Sequence, residues 1–166
     1  FAFAAWDKRE QTLFLARDRY GIKPLYYTKQ GNTFLFGSEI KAILAHPSYK
    51  TNIDKEALLE YFTFQNFFTD KTLFKDIRIL PPGCFMQIST ESETFPIPTQ
   101  YWDFHFTESE EKVDEAEYIE ELDRLFRQAV KRQLASDLEI GSYLSGGMDT
   151  GSITALASEK ISRIKT

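Results

Sequence analysis

The sequence predicts an antiparallel α+β part followed by an α/β segment that opens a parallel sheet, and three observations carry this. Short apolar runs separated by turn residues fill the first hundred positions. One long amphipathic stretch with helical spacing occupies residues 114–136. Behind it, "LEIGSYLSGGMDTGSITALASEK" reads as strand, glycine bend and helix.

In chain order, "FAFAAWD" and "TLFLARD" flank the polar "KREQ" as a first hairpin, and "PLYYTK" and "TFLFGS" repeat the pattern around "QGN". "SEIKAILAH" sets Ile40, Ile43 and Leu44 at helical spacing and is closed by Pro47. "NIDKEALLEYFTF" predicts a second short helix, with Asp54 as its N-cap and Leu58, Leu59 and Phe62 on one face. "TLFKDIRILPPGCFMQIS" reads as a strand pair around "PPG", where Pro81 and Pro82 fix φ and Gly83 permits a sharp turn. "TESETFPIPTQ" reads as a loop, and "YWDFHF" as an aromatic strand leading into the acidic "TESEEKVDE". That composition shift divides the chain into a first domain over 1–103, a linker over 104–113 and a second domain over 114–166.

The second domain opens on the strongest helical signal. Asp114 and Glu117 have capping-box spacing, while Ile119, Leu122, Phe126 and Val130 form an apolar stripe. Acidic residues crowd its start, and Lys131 and Arg132 stand near its end, as the helix dipole favours.

Composition narrows the function classes. Among 166 residues, 42% are hydrophobic and 15% aromatic, enough apolar surface to fold. The net charge of −5 supplies no general basic field, so nucleic acid is not an expected partner. No apolar run is long enough to span a bilayer, and "FAFAAWDKRE" lacks the features of a secretory signal, so no membrane partner is expected and the expected location is cytoplasmic. Cys84 is the single cysteine, which excludes an intramolecular disulfide and suits a reducing compartment. The sequence starts inside a strand and ends as "RIKT" opens a new segment, so it reads as a piece of a longer chain.

The chemistry concentrates at residues 144–150. A strand turning into a helix leaves the first helical N–H groups without intrahelical partners, and these with the helix dipole favour an anion such as phosphate. Gly146 and Gly147 let a backbone approach such a group, and Ser145 and Thr150 offer hydroxyls. Asp149 would repel phosphate unless a hard cation, Mg²⁺ by its chemistry, lay between them. The Walker A lysine of G-x-x-x-x-G-K-S/T is absent. Taken alone, the same bend is also ordinary strand-to-helix geometry.

"SGGMDT" resembles the SGGxD(S/T) loop of enzymes that split ATP between its α- and β-phosphates. Together with "FAFAAWD", "ARDRYGIKPLYY", "FGSEIKAILAH", "ILPPG" and "YWDF" in this order, the whole chain resembles the glutamine-hydrolysing asparagine synthetase family. The resemblance implies the later part of an N-terminal-nucleophile (Ntn) glutaminase domain. Behind it would come the start of an ATP pyrophosphatase synthetase domain of the adenine-nucleotide-hydrolase kind. It implies a parent enzyme, a carbon–nitrogen ligase, that makes asparagine from aspartate, ATP and glutamine. The route would run through β-aspartyl-AMP, with AMP and pyrophosphate released and the chain alone inactive.

By the same resemblance, Leu144, Ser145, Gly146, Gly147, Met148, Asp149 and Thr150 bind ATP through its pyrophosphate, and Asp149 faces the Mg²⁺. Thr150 and Met148 stand where the family more often has Ser and Leu. The nucleophilic Cys would lie upstream of Phe1, and a homodimer is an expected assembly. A relative amidating another carboxylate or closing a β-lactam ring remains an alternative, as does a non-catalytic nucleotide-binding homologue. Elsewhere, the cluster Arg17, Asp18, Arg19 and Lys23 reads as a structural turn, Glu39 as a buried ion pair, and Cys84 as a core residue. His46 and His105 have no neighbours that suggest a metal site.

Overall fold

A computed structural model describes residues 1–91, 96–107 and 114–166, which form two units, Phe1–Phe106 and Thr107–Thr166. Most of the expected linker, residues 108–113, lies outside the described residues, as do residues 92–95 of the expected loop.

In the first unit the short apolar runs pair as antiparallel strands. β1 (Ala2–Asp7) and β2 (Thr12–Arg17) form one hairpin, with Ala5 opposite Phe14. Its turn is held by the Asp7 carboxylate, which accepts from the N–H groups of Arg9 at 2.8 Å and Glu10 at 3.2 Å. β3 (Tyr26–Gln30) and β4 (Thr33–Gly37) form the other, around Gly31 at φ +57°. Both hairpins are as the sequence predicts.

The "PPG" segment differs from expectation. β5 (Arg78–Ile79) pairs with β3, whereas β6 (Cys84–Ser89) pairs with β2, so the flanking strands belong to different sheets and not to one strand pair. The sheet orders are β1-β2-β6-β7 and β4-β3-β5. Pro81 and Pro82 have no N–H for a ladder, and Gly83, at φ +62°, donates instead to the carbonyl of Asp18 at 2.9 Å. The turn therefore carries the chain from one sheet to the other. β7 (Thr99–Gln100) adds two residues to β6 inside the expected loop. The aromatic run after it forms no strand. Its rings pack on one another instead, Trp102 against Phe104 at 4.6 Å between centroids and both against Tyr20.

Leu15, Leu25, Tyr27, Leu80, Cys84 and Met86 form the core, with residues from both sheets. A second cluster of Ile43, Tyr49 and Ile77 gathers Ile40 and Leu44 of α1 (Ile40–Leu44). α2 (Lys55–Phe64) starts where Asp54 accepts from the N–H groups of Glu56 and Ala57, each at 3.0 Å. Its buried residue is Ala57, while Leu59 and Phe62 face outward, Phe62 with 75% of its surface exposed. Of the face read from the spacing, Leu58 is half-buried while Leu59 and Phe62 are exposed.

The second unit holds α3 (Glu115–Gln133) and α4 (Met148–Ser158). Asp114 caps α3 by accepting from Ala116 N, and the acidic and basic ends are distributed as expected. Of the stripe, Val130 is buried and Phe126 half-buried, but Ile119 and Leu122 are exposed. The expected strand at 138–144 and its parallel sheet do not form among the described residues. One parallel bridge, Gly141 with Lys165, is present. A strand exists through its ladder, and this segment finds one partner residue, with Ser142 N donating to Lys165 O at 2.8 Å.

Candidate functional site

Residues 144–150 lie in the second unit at the opening of α4. Gly146 sits at φ +83°, a conformation that favours glycine, and an added Cβ would meet nothing within 4 Å. The requirement at Gly146 is therefore conformational and not one of clearance. Gly147 is the N-cap, and its carbonyl accepts the first helical bond, from Gly151 N at 3.0 Å. The N–H groups of Met148, Asp149 and Thr150 then open the helix without an i−4 partner.

Two hydroxyls brace this bend. Thr150 Oγ1 donates to Gly147 O at 3.2 Å and accepts from Ser145 N at 3.3 Å. Its one proton being used, the 3.1 Å contact with Ser145 Oγ makes Ser145 the donor. Ser145 Oγ in turn accepts from Gly147 N at 3.4 Å. Asp149 stands in the first turn and forms no ion pair or side-chain hydrogen bond among the described residues. Leu144 and Met148 are exposed, Met148 by 86%. The open helix N-terminus suits an oxyanion and the uncommitted carboxylate a hard cation beside it, while the two hydroxyls, their protons spent within the bend, hold its shape. The residues present therefore fit Mg²⁺ with phosphate.

Sequence reasoning passed over two residues beside this bend. Ser142 Oγ and Thr154 Oγ1 are 2.7 Å apart, and Thr154 donates to Thr150 O at 2.7 Å. The spacing of Thr150 and Thr154, four apart on one helix, was the available signal.

The basic cluster of the first unit is structural, as the sequence predicts. Arg17, 7% exposed, donates to the carbonyls of Lys23 at 2.8 Å, Leu80 at 2.6 Å and Gly21 at 2.7 Å. Desolvation lowers its pKa, against the opposing effect of Asp18. Asp18 accepts from the backbone N–H groups of Tyr20, Ile22 and Lys23 and from the backbone nitrogen of Phe1. Burial works against its ionisation, but these bonds outweigh it and hold the carboxyl well below the usual range. Glu39 pairs with Lys41, yet both are exposed, which corrects the expected buried pair; two residues apart at the start of a helix, they face solvent. Cys84 is buried in the core, and burial, then Asp103, push its thiol up. His46 meets Ser48, and no cluster of three or more metal-ligating side chains occurs among the described residues.

Residues 1–102 match the family model for a glutamine amidotransferase domain. The chain belongs to that family. Behind this amidotransferase part, residues 121–166, which include the bend, match the family model for asparagine synthase. The chain is 43% identical over 159 residues to asparagine synthetase (glutamine-hydrolyzing) 3 of Bacillus subtilis (strain 168), covering 95% of this chain and 25% of the relative. It is 33% identical to synthetase 2 of the same organism (96% and 22%) and 34% identical to synthetase 1 (100% and 26%). The amidotransferase chain thus spans about a quarter of the length of the curated relatives it matches. Among the described residues no helix is long and apolar enough to cross a membrane.

Proposed function

We propose that the complete protein is a cytoplasmic glutamine-hydrolysing asparagine synthetase in which residues 144–150 receive the pyrophosphate of ATP. ATP adenylates the β-carboxylate of aspartate, and ammonia released from glutamine displaces AMP from β-aspartyl-AMP to give asparagine. The observation that carries the reading is the bend itself: three open helical N–H groups beside the Ser145 and Thr150 hydroxyls and the uncommitted Asp149 carboxylate, behind an amidotransferase part.

The chain's residues act electrostatically. The N–H groups of Met148, Asp149 and Thr150 and the dipole of α4 stabilise charge that grows on the departing pyrophosphate. Ser145 and Thr150 hold the bend so that these donors are fixed before the anion arrives. Gly146 supplies the left-handed step that aims them. Asp149 would hold Mg²⁺, which when bound neutralises phosphate charge.

Replacement of Asp149 by Ala in the complete protein tests the assignment. Asparagine and AMP formation should fall at least about a hundredfold, the scale of a lost electrostatic contact to the transition state. Basal glutamine hydrolysis should stay at the parental rate. Full asparagine formation by D149A would remove Asp149 from the mechanism.

A further inference from the structure

Ser142 and Thr154 are half-buried, whereas the bend residues Ser145–Asp149 are exposed. The Thr154 hydroxyl gives its one proton to Thr150 O at 2.7 Å, so Ser142 is the donor in the 2.7 Å contact between the two side chains. Ser142 is itself held by its N–H bond to Lys165 O at 2.8 Å. The segment entering the bend is therefore tied by one hydroxyl to the helix leaving it. Thr150 is the joint between two networks. Its carbonyl takes the Thr154 proton, and its hydroxyl meets Ser145 Oγ, Ser145 N and Gly147 O.

We propose that Ser142 and Thr154 are positioning residues that set the aim of the Met148–Thr150 N–H groups toward pyrophosphate. The inference rests on the nucleotide reading of the bend. Neither side chain needs to touch the anion: each acts through Thr150. Removal of the link on either side releases the same joint, so the two losses are not independent.

The test uses the complete protein and two readouts. Inorganic pyrophosphate with MgCl2 is titrated calorimetrically, and amide hydrogen exchange over residues 148–151 is followed without ligand. Thr154→Val removes the bond to Thr150 O together with the acceptor of the Ser142 proton, and should weaken pyrophosphate binding at least about fivefold, the worth of one hydrogen bond. Ser142→Ala, which cuts only the link to Thr154, should weaken binding about fivefold, the double variant should be no weaker than Thr154→Val alone, and Thr154→Ser should restore binding to within about twofold of the parent. Exchange at 148–151 should quicken in both single variants, while basal glutamine hydrolysis stays parental. Because Ser142→Ala cuts the link from the segment before the bend, it carries the test if Thr154→Val fails to fold. Multiplying losses in the double variant, or parental binding and exchange in T154V and S142A, would overturn the clamp. Absence of pyrophosphate binding by the unsubstituted protein would overturn the nucleotide reading beneath it.

Discussion

Gly83→Ala probes the crossing between the two sheets of the amidotransferase part. Gly83 lies at φ +62°, and a Cβ there would stand 2.6 Å from the carbonyl oxygen of Trp102. An L-residue in this left-handed region costs about 1 kcal/mol. The collision is with backbone, so no side chain can swing aside. Moving it loosens the bonds to Gly83 O from Tyr101 N at 2.8 Å and Trp102 N at 3.3 Å. At about 1 kcal/mol for each bond, the total loss is about 3 kcal/mol. Gly31→Ala is the control, since Gly31 has φ +57° but nothing within 4 Å of an added Cβ. It should cost about 1 kcal/mol, the conformational part alone. Urea unfolding of both variants, followed by tryptophan fluorescence, measures the difference of about 2 kcal/mol. Equal losses at the two glycines would refute the role given to the Trp102 carbonyl.

Asp18 links stability to pH. Its carboxyl is depressed in the folded state, so its contribution is present above the unfolded value of about 4 and is lost as pH falls toward the native value. Acid titration of stability should therefore be flatter in Asp18→Asn than in the parent, and parallel curves would refute the assignment. Cys84, 5% exposed and with its thiol pushed up, should react with a thiol reagent at neutral pH only as the core opens. Its labelling rate should rise with denaturant, whereas immediate stoichiometric labelling of the folded protein would contradict its burial.

The hairpins, the Asp54 cap and the charge gradient of α3 were legible because each depends on residues close in sequence. The glycine bend was legible for the same reason: Ser145, Gly146, Gly147 and Thr150 meet within six positions. The "PPG" strands were misjudged because a turn signal says where the chain bends and not which strand it joins next. Leu59 and Phe62 share a helical face, but spacing cannot say whether that face meets the core. Ser142 escaped notice because its partner lies twelve residues away across the bend.

By itself the sequence determined the local turns, the caps, the placing of most strands and helices, and the residue types gathered at 144–150. These follow from backbone sterics and short-range hydrogen bonding, which act over a few neighbouring residues. Tertiary structure alone decided that β5 and β6 lie in separate sheets and that Ala57, not Phe62, is buried. It also decided that Arg17 is spent on three carbonyls and that Thr154 anchors the bend. Those outcomes depend on which distant segments compete for the same surface and the same donors, and a local pattern holds no record of that competition.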